Sequence, residues 1–118
     1  GGAVLVAAGV AAVGVALDMA DENGDIAVKD VLVHQHRITI RMTGGQEGYS
    51  FNASLNDLEP KLDPFGFLRI HKSYLVNMRH LRKLQCREAV LDDGTVLRVS
   101  EKSYQDTKQK YLMWIGWE

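Results

Sequence analysis

Phe67-Leu68-Arg69-Ile70-His71-Lys72-Ser73-Tyr74-Leu75-Val76-Asn77 is the stretch from which the rest of the chain can be read. Its apolar residues recur at every second or third position, separated by basic and polar ones. That is the pattern of chain that anchors one side in a core and presents the other to solvent. Followed to Arg87, the segment carries Arg69, His71, Lys72, Arg79, His80, Arg82, Lys83 and Arg87 within nineteen residues. Chain anchored in this way holds Lys and Arg at fixed positions, as contacts to phosphates and base edges require. Uncommitted surface charge needs no such anchoring.

The flanking sequence reads as antiparallel hairpins. Asp21-Glu22-Asn23-Gly24-Asp25 is a polar turn whose Asn-Gly pair suits a hairpin, with a strand expected on each side. Ile26, Val28, Val31, Leu32 and Val33 suggest extended chain, and Arg37 to Met42 alternates polar and apolar as a half-buried strand does. Thr43 to Gly48 turns it into a partner, Tyr49 to Asn52. Ser54 caps a short helix with Leu55, Leu58 and Leu62 at helical spacing before Pro64. Downstream of the decisive stretch, Leu81 to Gln85 reads as a strand. Ala89 to Leu91 and Thr95 to Val99 form a hairpin about an Asp-Gly turn. A second helix follows Ser100, with Tyr104, Lys108, Tyr111, Leu112 and Ile115 on one side.

The composition, 46% hydrophobic and 25% charged in 118 residues, is that of one folded domain and excludes a disordered chain. Cys86 is the one cysteine, so no internal disulfide and no thiolate zinc cluster can form, and a reducing cytoplasm fits. The net charge of −1 hides an asymmetry. Residues 1 to 64 hold four Lys/Arg against nine Asp/Glu, a net of −5, and residues 65 to 118 hold ten against six, a net of +4. The basic half is a face for a polyanion, with a solvated mixed-charge surface as the alternative.

Gly1 to Leu17 has no charge at all. Seventeen residues lie at the lower margin for a membrane helix, and neither flanking Lys/Arg nor interfacial aromatics accompany them. The tail of a transmembrane helix, a buried segment of the domain and a remnant of an upstream domain all remain open. The weak hydrophobicity of Gly and Ala favours the buried segment. The division expected is therefore an apolar segment and turn over 1–24 and the main domain over 25–118.

Catalytic and metal chemistry find little support. His34 and His36 lie two apart on an expected strand and would share a face as two metal ligands must, but a third ligand is missing, with His71 and His80 the nearest candidates. No Gly-rich phosphate loop follows a strand, and neither Ser73 nor Ser100 has a His/Asp arrangement about it. No enzyme, no metal and no cofactor are expected.

The stretch from Phe67 to Asn77 resembles the signature of LytTR DNA-binding domains, in which an aromatic, an arginine, a histidine and a basic-Ser-aromatic run end in Val-Asn. Leu91 to Ser100 resembles the second signature, a Gly-containing hairpin ending in Val-Ser before the last helix. Asp30-Val31-Leu32 and Ser54 to Leu58 match in order and spacing, so the resemblance covers roughly residues 25 to 113. It implies an elongated, mostly β fold of small antiparallel sheets with short helices. It also implies sequence-specific binding of double-stranded DNA by loops that enter successive major grooves, within a bacterial transcription regulator.

Matched to the family, the base-reading positions are His36, with His34 as the alternative, Lys72 and Lys102. The backbone contacts implied are Arg69, Ser73, Asn77, Arg79 and Ser103. For Asn77 the residues themselves leave a second reading open, a buried side chain that satisfies backbone groups in the turn. The resemblance further implies direct-repeat sites occupied by two copies. LytTR domains usually follow a phosphorylated receiver domain, which 25 residues cannot form. A receiver or sensor domain upstream, missing from this chain, is therefore expected, or a membrane tether in its place. The alternative function is a non-DNA interaction or sensor module tethered by the apolar N-terminus.

Overall fold

Strand β1 (Val28–His34) lies at the centre of the larger sheet in the computed structural model, which describes residues 9–116. Hairpins add β2 (Arg37–Met42) and β3 (Tyr49–Asn52) on one side of it. On the other side docks the hairpin of β4 (Phe67–His71) and β5 (Tyr74–Asn77), giving the order β3-β2-β1-β5-β4 with every pair antiparallel. A second antiparallel sheet holds β6 (Leu81–Gln85), β7 (Glu88–Leu91) and β8 (Val96–Arg98). Helices α1 (Gly9–Leu17), α2 (Leu55–Leu62) and α3 (Tyr104–Trp114) are short. The result is a mostly β fold of two small antiparallel sheets with short helices, 41 × 32 × 24 Å along its principal axes.

Two cores meet at the β4–β5 hairpin. Phe67 and Leu75 face the first, with Val28, Val31, Ile38, Ile40 and Phe51 from the sheet and Leu55, Leu58 and Leu62 from α2. Leu68, Ile70 and Val76 face the second, with Leu81, Ala89, Leu91, Leu97 and Val99 from the smaller sheet. Successive strand residues point to opposite faces, so a strand buried on both faces needs apolar residues in sequence, and the run of Phe67-Leu68 and Leu75-Val76 supplies them. Between Arg69 and His71 the register slips by one residue. This bulge is where the hairpin ends its regular pairing and the Lys72-Ser73 turn begins.

The short connections follow local chemistry. Ser54 Oγ accepts the amide of Asn56 at 3.2 Å and caps α2. The helix runs through Pro60 and ends at Leu62, followed by a single 3₁₀ turn over Asp63–Phe65. Gly66 closes that turn at φ +88, where the Trp114 ring would stand 2.8 Å from any Cβ. Both constraints demand glycine.

Two expectations differ from what is found. Among the described residues no strand precedes the Asp21–Asp25 turn. The chain there leaves α1, and a lone bridge between Ala20 and Ile26 closes the turn. Helix α1 buries Ala12, Val13 and Ala16 in the first core while Val15 stays exposed. Its nine residues are too short to cross a membrane, as is every helix among the described residues. Residues 1–8 of the uncharged N-terminal run lie outside the described residues. The buried face of α3 is rotated from the one read by spacing: Thr107 is fully packed while Lys108 and Ile115 are exposed. Thr107 Oγ1 donates to the Arg69 carbonyl at 3.4 Å and Tyr111 Oη to that of Leu81 at 3.1 Å, so polar partners on β4 and β6 set the rotation.

Candidate nucleic-acid interface

Strand register carries four connections to one end of the molecule. Opposite His34 and Arg37, the β1–β2 turn consists of Gln35 and His36, both at positive φ (50° and 65°), the conformation of a two-residue turn that follows strand twist. Leu32 pairs with Tyr74, and the Val33 amide donates to the Ser73 carbonyl at 3.0 Å, which sets the Lys72-Ser73 turn beside it. The Ser100 amide donates to the Ile70 carbonyl at 2.8 Å, bringing the segment from Ser100 to Ser103 against the end of β4. The Val99 amide donates to the Arg87 carbonyl at 3.1 Å and adds the β6–β7 turn.

The side chains here are basic and solvent-facing. His34, His36, Lys72, Arg98 and Lys102 are all exposed. None of these five is in an ion pair among the described residues, while Arg37 donates to Asn52 at 3.2 Å. Ser103 caps α3 by position, with no hydrogen bond from its hydroxyl to the helix. His71 reports the local field. Burial lowers its imidazole pKa, and the neighbouring charges of Lys72, Arg98 and Arg69 push it down further. The Ser73 amide donates to its Nδ1 at 3.1 Å, which requires that nitrogen to be unprotonated.

Arg69 is turned inward. Its Nε donates to the His71 carbonyl at 2.7 Å and Nη2 to the Lys72 carbonyl at 2.5 Å. Nη1 reaches Glu59 at 2.7 Å and Asn56 at 3.1 Å on α2. A guanidinium so occupied holds the Lys72 turn against α2 and has little left for a phosphate. Stacking of His71 on Tyr74, with centroids 4.8 Å apart, stiffens the same turn from within.

Asn77 and Arg79 leave the group altogether. Asn77 is fully buried; its Nδ2 donates to the Val28 carbonyl at 2.9 Å and the Ile26 carbonyl at 3.4 Å, and its Oδ1 accepts the Arg79 amide at 3.0 Å. The reading of Asn77 as a satisfier of backbone groups accounts for all of this, and no atom is left for DNA. Arg79 lies beyond the far end of β5 from Lys72, 3.5 Å from Asp25 and over the Trp114 ring at 5.4 Å.

His34 and His36 do not form a strand-spaced pair, because His36 sits in the turn. Among the described residues no cluster of three His, Cys, Asp or Glu could hold a metal. Arg87 and Arg98 belong to this end although only the basic run had marked Arg87. Alternation in β8, with Leu97 and Val99 buried, would have pointed Arg98 outward. What sequence could not show is that docking of the small sheet brings it beside His71.

Comparison with known proteins speaks to the family and the fold. The family model described as the LytTr DNA-binding domain matches residues 25–111. The CO-responsive transcriptional regulator RcoM of Rhodospirillum rubrum is 44% identical over 52 residues, 40% of this chain and 22% of that protein. The transcriptional regulatory protein LytR of Staphylococcus aureus is 30% identical over 80 residues, 64% of this chain and 32% of that protein. The matched part is thus a minority of each of these relatives. A solved LytTr DNA-binding domain of a response regulator from Bacillus cereus superposes with a TM-score of 0.61, covering 73% of this chain and 81% of that one, and at 22% identity it speaks to the fold.

Proposed function

Because the chain belongs to the LytTr DNA-binding domain family, we propose that it binds duplex DNA with sequence preference, as the output module of a bacterial transcription regulator, through the end that carries His36, Lys72 and Lys102. The observation that carries this is that these three side chains are exposed and in no ion pair among the described residues, on two turns fixed by strand pairing and on a segment tied to β4 by the Ser100–Ile70 hydrogen bond. A long amine on a fixed turn can reach guanine acceptors in a major groove. The β1–β2 and β4–β5 turns and the segment from Ser100 to Ser103 read successive grooves, while Ser73 and Ser103 hold phosphates. Two copies occupy direct-repeat sites, a receiver or sensor domain of the regulator supplies the input, and the module works in the cytoplasm, where the DNA is. Nothing in the site's chemistry requires an enzymatic step, and no observation favours a non-DNA interaction module.

The test is binding of the chain to a random duplex pool and to sites selected from it, over a range of salt. Phosphate neutralisation should give a log-log slope of about −4 to −6 at roughly −0.9 per phosphate, with preference surviving excess competitor. A slope near zero, or equal affinity for selected and random duplexes, would overturn the reading.

A further inference from the structure

Between the β6–β7 turn and the segment after β8 lies a recess of about 370 Å³ lined by His71, Arg87, Arg98, Val99, Ser100 and Glu101. Its rim is fixed by the two backbone hydrogen bonds at Val99 and Ser100. Arg87 occupies the turn at φ 75, and its guanidinium donates through both Nε and Nη2 to one oxygen of Glu101, Oε2. Both side chains are more than half exposed, so water and salt screen the pair and it costs little to open. Arg98 faces the same recess without an ion-pair partner among the described residues.

A guanidinium fork accepts a carboxylate and a phosphate in the same two-pronged geometry. Both donors converge on Glu101 Oε2, so this oxygen stands where one phosphodiester oxygen would stand. With the carboxylate swung into solvent, two arginines face the recess with no anion to balance them, a step away from Lys72 and Lys102. We propose that this recess takes a backbone phosphate of the bound DNA, and that Glu101 occupies the Arg87 guanidinium until that phosphate displaces it. The proposal rests on the DNA-binding reading above. Glu101 is then an internal competitor that weakens contact with every duplex alike, since a phosphate carries no base identity.

The decisive experiment measures affinity and salt slope for the chain and for Arg87→Gln, Glu101→Gln and the double variant, on a selected duplex and on the random pool. Arg87→Gln should weaken both duplexes by the same factor, about threefold to tenfold, and make the slope shallower by about one unit. Glu101→Gln should tighten both by about threefold, a gain that disappears in the Arg87→Gln background. Arg87→Lys should keep the slope, which separates loss of charge from damage to the turn. An equal gain from Glu101→Gln with and without Arg87 would reduce Glu101 to general repulsion and overturn the proposal. So would an unchanged slope in Arg87→Gln while Lys72→Ala still loses discrimination, a result that leaves the DNA-binding reading standing. Failure of the unaltered chain to bind any duplex would sink both. Inorganic phosphate, titrated at constant ionic strength, should leave the side-chain resonances of His71 and Arg87 unmoved; a saturable shift would make the recess a small-anion site instead.

Discussion

The two ends of the larger sheet use their charges in opposite ways. At the end built from the Asp21–Asp25 turn, the β7–β8 turn and the 3₁₀ turn Met78–His80, the cations are engaged within the protein. Lys29 meets Asp93 at 2.7 Å, Arg79 meets Asp25, and His80 lies between Asp92 at 3.1 Å and the Ile26 carbonyl at 2.9 Å. Lys29 holds the Asp93 carboxyl well below the usual carboxylate range, with burial working against it. At the opposite end His34, His36, Lys72, Arg98 and Lys102 have no such partners among the described residues. The difference teaches that basic residues close in sequence serve different ends: Lys72 and Arg79 are seven residues apart but lie at the two ends of β5. One end fastens the two sheets and the N-terminal turn together, and the other offers its basic side chains outward.

If that division holds, substitutions should separate stability from DNA reading. Asn77→Ala should have the largest effect. It strips the buried Val28 carbonyl and the Arg79 amide of their side-chain partner, while the Ile26 carbonyl keeps His80, and at ~1–3 kcal/mol for each group left unsatisfied the loss should reach about 3 kcal/mol in urea unfolding. The ratio of specific to random affinity should stay as it was. A lost ratio with full stability would break the comparison. Lys72→Ala should do the reverse, leaving stability unchanged while removing ~1–3 kcal/mol of discrimination between selected and random duplexes. Equal weakening of both duplexes would move Lys72 to a backbone-positioning role.

How much of this could be read from residues alone follows from the range of each signal. Alternation in Arg37–Met42, the Ser54 cap and the Asp93-Gly94 turn are local, and each lies where spacing put it. The family signatures placed Lys72 and the segment after Ser100 in connections, whereas His36, expected on a strand, lies in the β1–β2 turn. Alternation also says that a polar residue points away from one core, but not what lies on the other side. Arg69 faces α2, Asn77 faces the chain at Ile26 and Val28, and Arg79 faces Trp114. Each partner is ten or more residues distant, beyond the reach of periodicity. The same limit hid the packing of Thr107 against β4 and the grouping of Arg87 and Arg98 with His71.

His80 sharpens the contrast through pH. Burial alone would lower its pKa, yet the Ile26 carbonyl, Asp92 and Asp21 together raise it above the ordinary imidazole value of 6.5. A raised folded-state value means that its contribution is fully present below pH 6.5 and is lost as pH rises through the folded-state value. Asp93 behaves oppositely, contributing above the ordinary carboxylate value of 3.8 and losing its contribution in acid. Stability should therefore fall from mildly acidic toward mildly alkaline solution, and His80→Gln should flatten that decline. A decline of unchanged steepness in His80→Gln would remove His80 as its source. The smallest effect belongs to Arg79→Ala. An exposed ion pair and an aromatic contact give at most ~1–2 kcal/mol of stability, with no change in DNA affinity or salt slope.

If the proposed reading is right, one end of the sheet meets DNA and the other does not. Backbone amide resonances of the chain, followed as a selected duplex is titrated in, test it most directly. Shifts are expected at Gln35-His36, Lys72-Ser73, Arg87 and Ser100 to Ser103, with Asp21 to Asp25, Arg79 and Asp92 to Gly94 unmoved. Shifts concentrated at the second set, with the Lys72 turn silent, would contradict it.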